Sequence, residues 1–219
     1  MNRRTILNAL AGTAAALILL MCVCWWLASL APTWYAPPDA SDKAIQTLGA
    51  TAEYRLLEEF QKIRPAEEVW RLRIPEEAIN AWLATRLPAW LEGRGATWPE
   101  DLGTPQVRIT PSGIVLAAPS VALGGRMATL RISPEIHEDQ LHCNMSWGVG
   151  RLPLEFPLSF AGSMISLDEV ARIGFLAQLT NGEAIPAEVS LVDRRVVSLH
   201  DLQLDASAAI LQASTALKP

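Results

Sequence analysis

The hydrophobic pattern begins with an apolar run from Ile6 to Ala31, broken only by Asn8, Thr13 and Ser29 and preceded by Arg3 and Arg4. A hydrocarbon core of about 30 Å needs roughly 20 helical residues, and Leu10–Leu30 supplies them. Trp25, Trp26, Trp34 and Tyr35 gather at the far end of the run, as aromatic residues do at a membrane–water interface. Basic residues precede the run and none follows it before Lys43, so the positive-inside rule places the N-terminus in the cytoplasm and the rest of the chain outside. A cleaved signal peptide is the competing reading, with Ser29 and Ala31 as the small residues before a cut. The run exceeds the about 7–15 residues of a signal h-region, and Pro32 would follow the cut, so a retained anchor in the cell membrane is favoured. The chain thus divides into a cytoplasmic stub and transmembrane anchor (1–31), a proline-rich spacer (32–41) and an extracytoplasmic α+β domain (42–219).

Within that domain the period of the apolar positions changes repeatedly. From Asp42 to Ile63, the residues Ile45, Leu48, Leu56, Phe60 and Ile63 recur near helical spacing, with Gly49 as a weak point. Val69 to Ile74 alternates Trp70, Leu72 and Ile74 against Arg71 and Arg73, which predicts a strand. A second helix follows, with Pro75 near its first position, Glu76 and Glu77 in its first turn, and Ile79, Trp82, Leu83 and Leu87 on one face; Pro88 ends or kinks it. Residues 105–160 predict an antiparallel meander, because Pro111-Ser112-Gly113, Gly124-Gly125 and Glu138-Asp139 separate four apolar stretches with turn chemistry. The last of them, Leu141 to Val149, alternates Leu, Cys, Met, Trp and Val with polar residues or glycine, which makes Cys143 a core thiol. Pro153 and Pro157 place the following stretch at a sheet edge. Ser166 and Glu169 form a capping box for a helix from Leu167 to about Leu179. Strands over Ala187–Val192 and Val196–Leu204 lead to a tail rich in Ala and Ser. The expected fold class is α+β: the transmembrane helix, then a curved antiparallel sheet packed with two or three helices.

Composition narrows the function classes. The chain has 219 residues, half of them hydrophobic, which excludes a disordered polymer. Beyond the anchor, which holds Arg3 and Arg4 and no acidic residue, 16 of the 18 basic residues face all 23 acidic ones, a balance of −7. Nothing general therefore draws the domain to nucleic acid. Cys22 and Cys24 lie within the anchor, so Cys143 has no partner in the domain and stability rests on a packed core. His137-Glu138 with His142 approaches a zinc-protease motif, but the histidines are five apart instead of four and the local pattern is β. No CxxC pair, phosphate-cradling loop or nucleophile elbow occurs. The expectation is a non-enzyme with no cofactor, catalytic residue or metal site.

Three segments carry a resemblance to a family. Ile74-Pro75-Glu76-Glu77-Ala78-Ile79-Asn80-Ala81-Trp82-Leu83, then Gly113-Ile114-Val115-Leu116 with Leu130-Arg131-Ile132-Ser133-Pro134, then Val149-Gly150-Arg151-Leu152-Pro153-Leu154 occur in this order. Together, over about residues 70–160, they resemble the membrane-anchored YpmS-like proteins. The resemblance implies an extracytoplasmic domain whose curved sheet wraps a helix and leaves an apolar groove, similar to proteins that bind or carry lipids. Groove candidates are Trp82, Trp90, Trp98, Trp147, Phe156 and Phe160. Burying an acyl chain of about 14–16 methylenes gains on the order of 10 kcal/mol before ordering costs. No polar set for a head group is evident, and residues 161–219 lie outside the resemblance. The expected partners are the bilayer through Leu10–Leu30 and a lipid or other apolar ligand. The alternative is a structural protein that docks an envelope partner through the sheet edge near Leu152–Phe160.

Overall fold

A computed structural model describes residues 3–65, 68–157, 178–179 and 181–217. Helix α1 (Arg3–Ser29) is long and apolar enough to cross a membrane. Its large apolar side chains from Leu17 to Val23, with Trp25 and Trp26, are exposed. Away from its ends, its backbone polar groups are satisfied within the helix.

Helix α2 (Lys43–Gln61) starts at Asp42, whose Oδ1 accepts from the Ala44 N–H at 2.8 Å. At its other end the Arg195 guanidinium donates to the carbonyls of Gln61 (2.7 Å) and Lys62 (2.9 Å), which answers the negative end of the helix dipole. Helix α3 (Glu76–Thr85) packs along α2. Gly49, predicted as a weak point, is the place where they touch. A Cβ there would meet Thr85 Oγ1 and come within 2.9 Å of Ala81 O, so the absent side chain permits the approach. Close contact also reverses the expected face of α3. Ala78, Asn80 and Ala81 are buried, while Ile79, Trp82 and Leu83 are half-buried. Pro88 does not kink α3; it opens a separate short helix, α4 (Leu87–Glu92), where its missing N–H is not needed.

The strands divide between two antiparallel sheets where the pattern predicts one. The first sheet joins β1 (Val69–Pro75), β10 (Ala208–Leu217), β9 (Arg195–Asp205) and β8 (Glu188–Ser190), in that order. The second joins β2 (Gln106–Thr110), β3 (Gly113–Ser120), β4 (Arg126–His137), β5 (Gln140–Val149) and β6 (Phe156–Pro157), with β7 (Ile185–Pro186) also on β5. The meander follows the predicted turns. Glu138 and Asp139 both have positive φ, 51° and 58°, and His137 pairs with Gln140 across them, as a two-residue hairpin turn requires. The tail rich in Ala and Ser is not a tail: β10 pairs with β1 on one side and β9 on the other. Its Ala208, Ala209 and Ala213 are buried, and Ala213 sits with Trp70 and Val197 in a cluster closed by Phe60, Leu72, Leu191 and Leu199. The helix expected over Leu167–Leu179 lies outside the described residues, apart from Gln178 and Leu179, which are helical.

The register of the second sheet sorts its side chains. Val107, Leu116, Leu130, Trp147 and Phe156 align across five strands, as do Ile109, Ile114, Ile132 and Met145 across four. Val107, Ile109 and Trp147 of these rows are buried, and α3 and β9 pack against the sheet. Fully buried Ile109 alone stabilises by about 1.5–3 kcal/mol. The other face carries Val115, Arg131 and Ser146 in one row and Ala117, Thr129 and Gly148 in the next.

The free edge of β2 is closed by α3. Asn80 accepts from the Val107 N–H (2.7 Å) and donates to the Val107 carbonyl (3.0 Å), and Glu76 Oε2 accepts from the Ile109 N–H (2.6 Å). Two side chains one helical turn apart thus satisfy the outward groups of an edge strand. Arg108 adds an ion pair to Glu76 at 3.3 Å.

Candidate functional site

The site is built where the end of α1 meets the second sheet. Arg151, just past β5, donates its backbone N–H to Leu27 O (3.0 Å) and its Nε to Ala31 O (2.7 Å). A cation is thereby fixed at the C-terminal end of α1, the negative end of its dipole. Gly150 precedes it with φ 59°, and a Cβ there would collide with the Ala28 carbonyl and lie 2.8 Å from Leu30 O. The Arg126 guanidinium stands 4.0 Å over the Trp25 ring.

The expected spacer is pinned directly after α1 to the residues that lead into β2. Buried Gln106 accepts from the Ala36 N–H (2.6 Å) and its Nε2 lies 3.4 Å from Trp34 O; the Tyr35 hydroxyl donates to Thr104 O (2.8 Å). Partial burial pushes the Tyr35 phenol above its ordinary value.

Between this pinned segment and the polar face of the second sheet lies a cleft of about 290 Å³. Pro32, Thr33 and Trp34 form one side, Val115, Thr129, Arg131 and Ser146 the floor, and Arg151, Leu152, Leu154 and Glu155 the other side. The Arg131 Nε and Glu155 Oε1 are 2.7 Å apart, yet the buried Nε–H is out of line for a hydrogen bond, so the attraction is Coulombic. Glu155 Oε2 accepts from the Ser146 hydroxyl at 2.7 Å. The cleft thus combines a partly exposed cation–anion pair, hydroxyls and an apolar rim that includes Leu152 and half-exposed Leu154. It offers charge and hydrogen bonding to a ligand.

The tryptophans expected around one groove fall into two places. Trp82 and Trp90 meet edge to face at 5.9 Å, and together with Trp98 and Leu83 they cover a small core of Leu87, Leu91 and Ala96. Trp98 donates to Leu102 O and Gly103 O, both at 3.1 Å, and Arg94 lies 3.8 Å over Trp90. Trp147 stands apart on β5 and borders the cleft. Its ring is 5.4 Å from that of Phe156, and its buried Nε1 has no acceptor among the described residues. Phe160 lies outside the described residues. Cys143 is half-buried, and desolvation pushes its thiol up. Among the described residues no group of three His, Cys, Asp or Glu could hold a metal ion.

Sequence reasoning missed Arg131, Arg151, Glu155, Thr129 and the Pro32–Trp34 wall. Arg131 and Ser146 occupy the polar phase of two alternating strands, and that phase looks the same whether water or a cleft lies over it. The Gly150-Arg151 pair just past a strand was the available signal. No protein-family model matches the sequence, and no curated protein matches it significantly.

Proposed function

We propose that the chain is a single-pass, non-catalytic binding protein of the cell membrane, related to the YpmS-like proteins, with its N-terminus cytoplasmic and its domain extracytoplasmic. Its anchor-side cleft takes an amphiphile at the bilayer surface. The observation that carries this is the shared wall: Pro32–Trp34, the residues by which the chain leaves α1, form one side of the cleft. A ligand there sits within reach of the membrane in which α1 is embedded. The clip of Gly150 and Arg151 on Leu27–Ala31 keeps the cleft in that place.

The volume decides which part of a ligand enters. At about 30 Å³ per water-sized group, 290 Å³ holds about ten such groups, enough for a head group or a short stretch of chain and too little for two acyl chains. The proposed role is therefore retention at the surface, with most of the apolar part left in the bilayer. The competing reading, docking of an envelope partner at the edge near Leu152–Phe160, draws less support: among the described residues β6 offers two paired residues there, and α3 closes the opposite, β2 edge.

Native mass spectrometry of the full chain, extracted in a mild detergent, tests the role. Wild type should retain one lipid-sized adduct, and Thr129→Trp and Val115→Trp, which fill the floor from two strands, should lose it with melting temperature kept within a few degrees. An apo mass for wild type, or adducts unchanged by both fillings, would overturn the reading.

A further inference from the structure

We propose that the cleft selects a monoanionic phosphodiester head group, the chemistry of phosphatidylglycerol, with Arg131 and Arg151 as the cations that recognise it. This rests on the membrane-surface binding role above and names the ligand class for the same site. Three charged side chains line the cleft, Arg131, Arg151 and Glu155, and they sum to +1. The domain around them carries −7, so the cleft runs against the sign of the molecule that holds it. One phosphodiester charge neutralises it. A zwitterionic head would add an ammonium to a site already holding two guanidinium groups and leave the excess in place.

The hydrogen-bonding inventory agrees. Guanidinium groups match phosphate oxygens with several directed N–H donors. Arg131 turns its buried Nε toward Glu155 Oε1 at 2.7 Å, while its side chain as a whole remains partly exposed along the cleft. Arg151 is held against the anchor by its Nε bond to Ala31 O, so its position is set before a ligand arrives. Thr33 and Thr129 add hydroxyls, and Glu155, already accepting from Ser146, retains lone pairs for the hydroxyl groups of a glycerol head. Trp34, Leu152 and Leu154 supply an apolar rim for the glycerol backbone and first methylenes.

The test uses the full chain in nanodiscs of equimolar phosphatidylglycerol and phosphatidylcholine, released into a native mass spectrometer. Wild type should carry phosphatidylglycerol over phosphatidylcholine by about tenfold or more. Arg131→Gln should bring the ratio close to one, and Glu155→Gln, which removes the competing anion, should raise it. Soluble glycerophosphoglycerol or inorganic phosphate at millimolar concentration should leave the lipid adduct in place; displacement by either would overturn the lipid as the source of the phosphate. Equal adducts of the two lipids, both lost in Thr129→Trp, would overturn the head-group assignment and leave the binding role standing. Absence of any lipid adduct in wild type would overturn both.

Discussion

Replacing Gly150 with alanine should release the segment that follows α1 from the second sheet while leaving the sheets intact. Gly150 has φ 59°, and its added Cβ would strike the Ala28 carbonyl and approach Leu30 O to 2.8 Å. These are backbone atoms, so no rotamer change relieves the overlap and the clip must open. Opening gives up the Arg151 N–H bond to Leu27 O and the charge-assisted Nε bond to Ala31 O. A neutral hydrogen bond contributes about 0.5–1.5 kcal/mol and one to a charged group about 1.5–3 kcal/mol, so the clip loses about 2 kcal/mol at the low end, roughly 30-fold in its opening equilibrium. Hydrogen–deuterium exchange of the full chain in nanodiscs reads this directly. The amides of Ala36 and Arg151 should exchange about 30-fold faster, with β9 and β10 unchanged. Gly95→Ala is the matched control, because Gly95 also has positive φ, 70°, and nothing lies within 4 Å of its Cβ position. It carries the conformational cost alone and should leave the exit segment untouched. Equal exchange of Ala36 and Arg151 in Gly150→Ala and wild type would refute the clip.

Other consequences follow from the same geometry. Asn80→Ala leaves the Val107 N–H and carbonyl without the Asn80 partners that close the β2 edge; at about 1–3 kcal/mol per orphaned group, the loss should be about 2–6 kcal/mol in urea unfolding, and a change under 0.5 kcal/mol would contradict the role given to α3. Gly49→Ala overpacks the contact of α2 with Thr85 Oγ1 and Ala81 O and should cost about 1–3 kcal/mol, with partial recovery in the Gly49→Ala, Thr85→Ala pair; calorimetric melts that coincide with wild type would count against that crossing. The Tyr35 phenol is raised by burial, so above the ordinary phenol value of about 10 the docked state holds the proton longer than the undocked state. Docking is therefore at full strength below that pH and weakens as pH rises through the raised value. Titrating phenolate absorbance in Tyr54→Phe should show a midpoint above that of the urea-unfolded chain; a midpoint at or below it would contradict the burial of Tyr35.

The parts of the fold that were legible in sequence are those fixed by local chemistry. Gly124-Gly125 and Glu138-Asp139 mark reversals because few residues tolerate positive φ, and the strands between such marks alternate because one face is buried. Strand β10 was illegible for the opposite reason. Its Ala208, Ala209 and Ala213 are small because they lie at the buried middle of a sheet, where Ala213 stands opposite Trp70, and small residues carry little hydrophobic signal. Helix α3 misled in the same way: its bulky residues mark the looser face and Ala78 and Ala81 the tighter one. The cleft depends on distance in sequence, joining Pro32–Trp34 to residues about a hundred positions away, which no local pattern encodes. The tryptophans drew attention because a large apolar surface reads alike in a groove or a core; Trp82, Trp90 and Trp98 cover Leu87 and Leu91.

The central claim is that a membrane amphiphile occupies the cleft beside the anchor. Photo-crosslinking of the full chain in membranes containing a phosphatidylglycerol with a diazirine near its glycerol, followed by peptide mapping, tests it most directly. The account predicts adducts concentrated on Thr33–Trp34, Val115, Thr129 and Ser146–Glu155, suppressed in Thr129→Trp. Adducts confined to α1, with none on β3, β4 or β5, would contradict it.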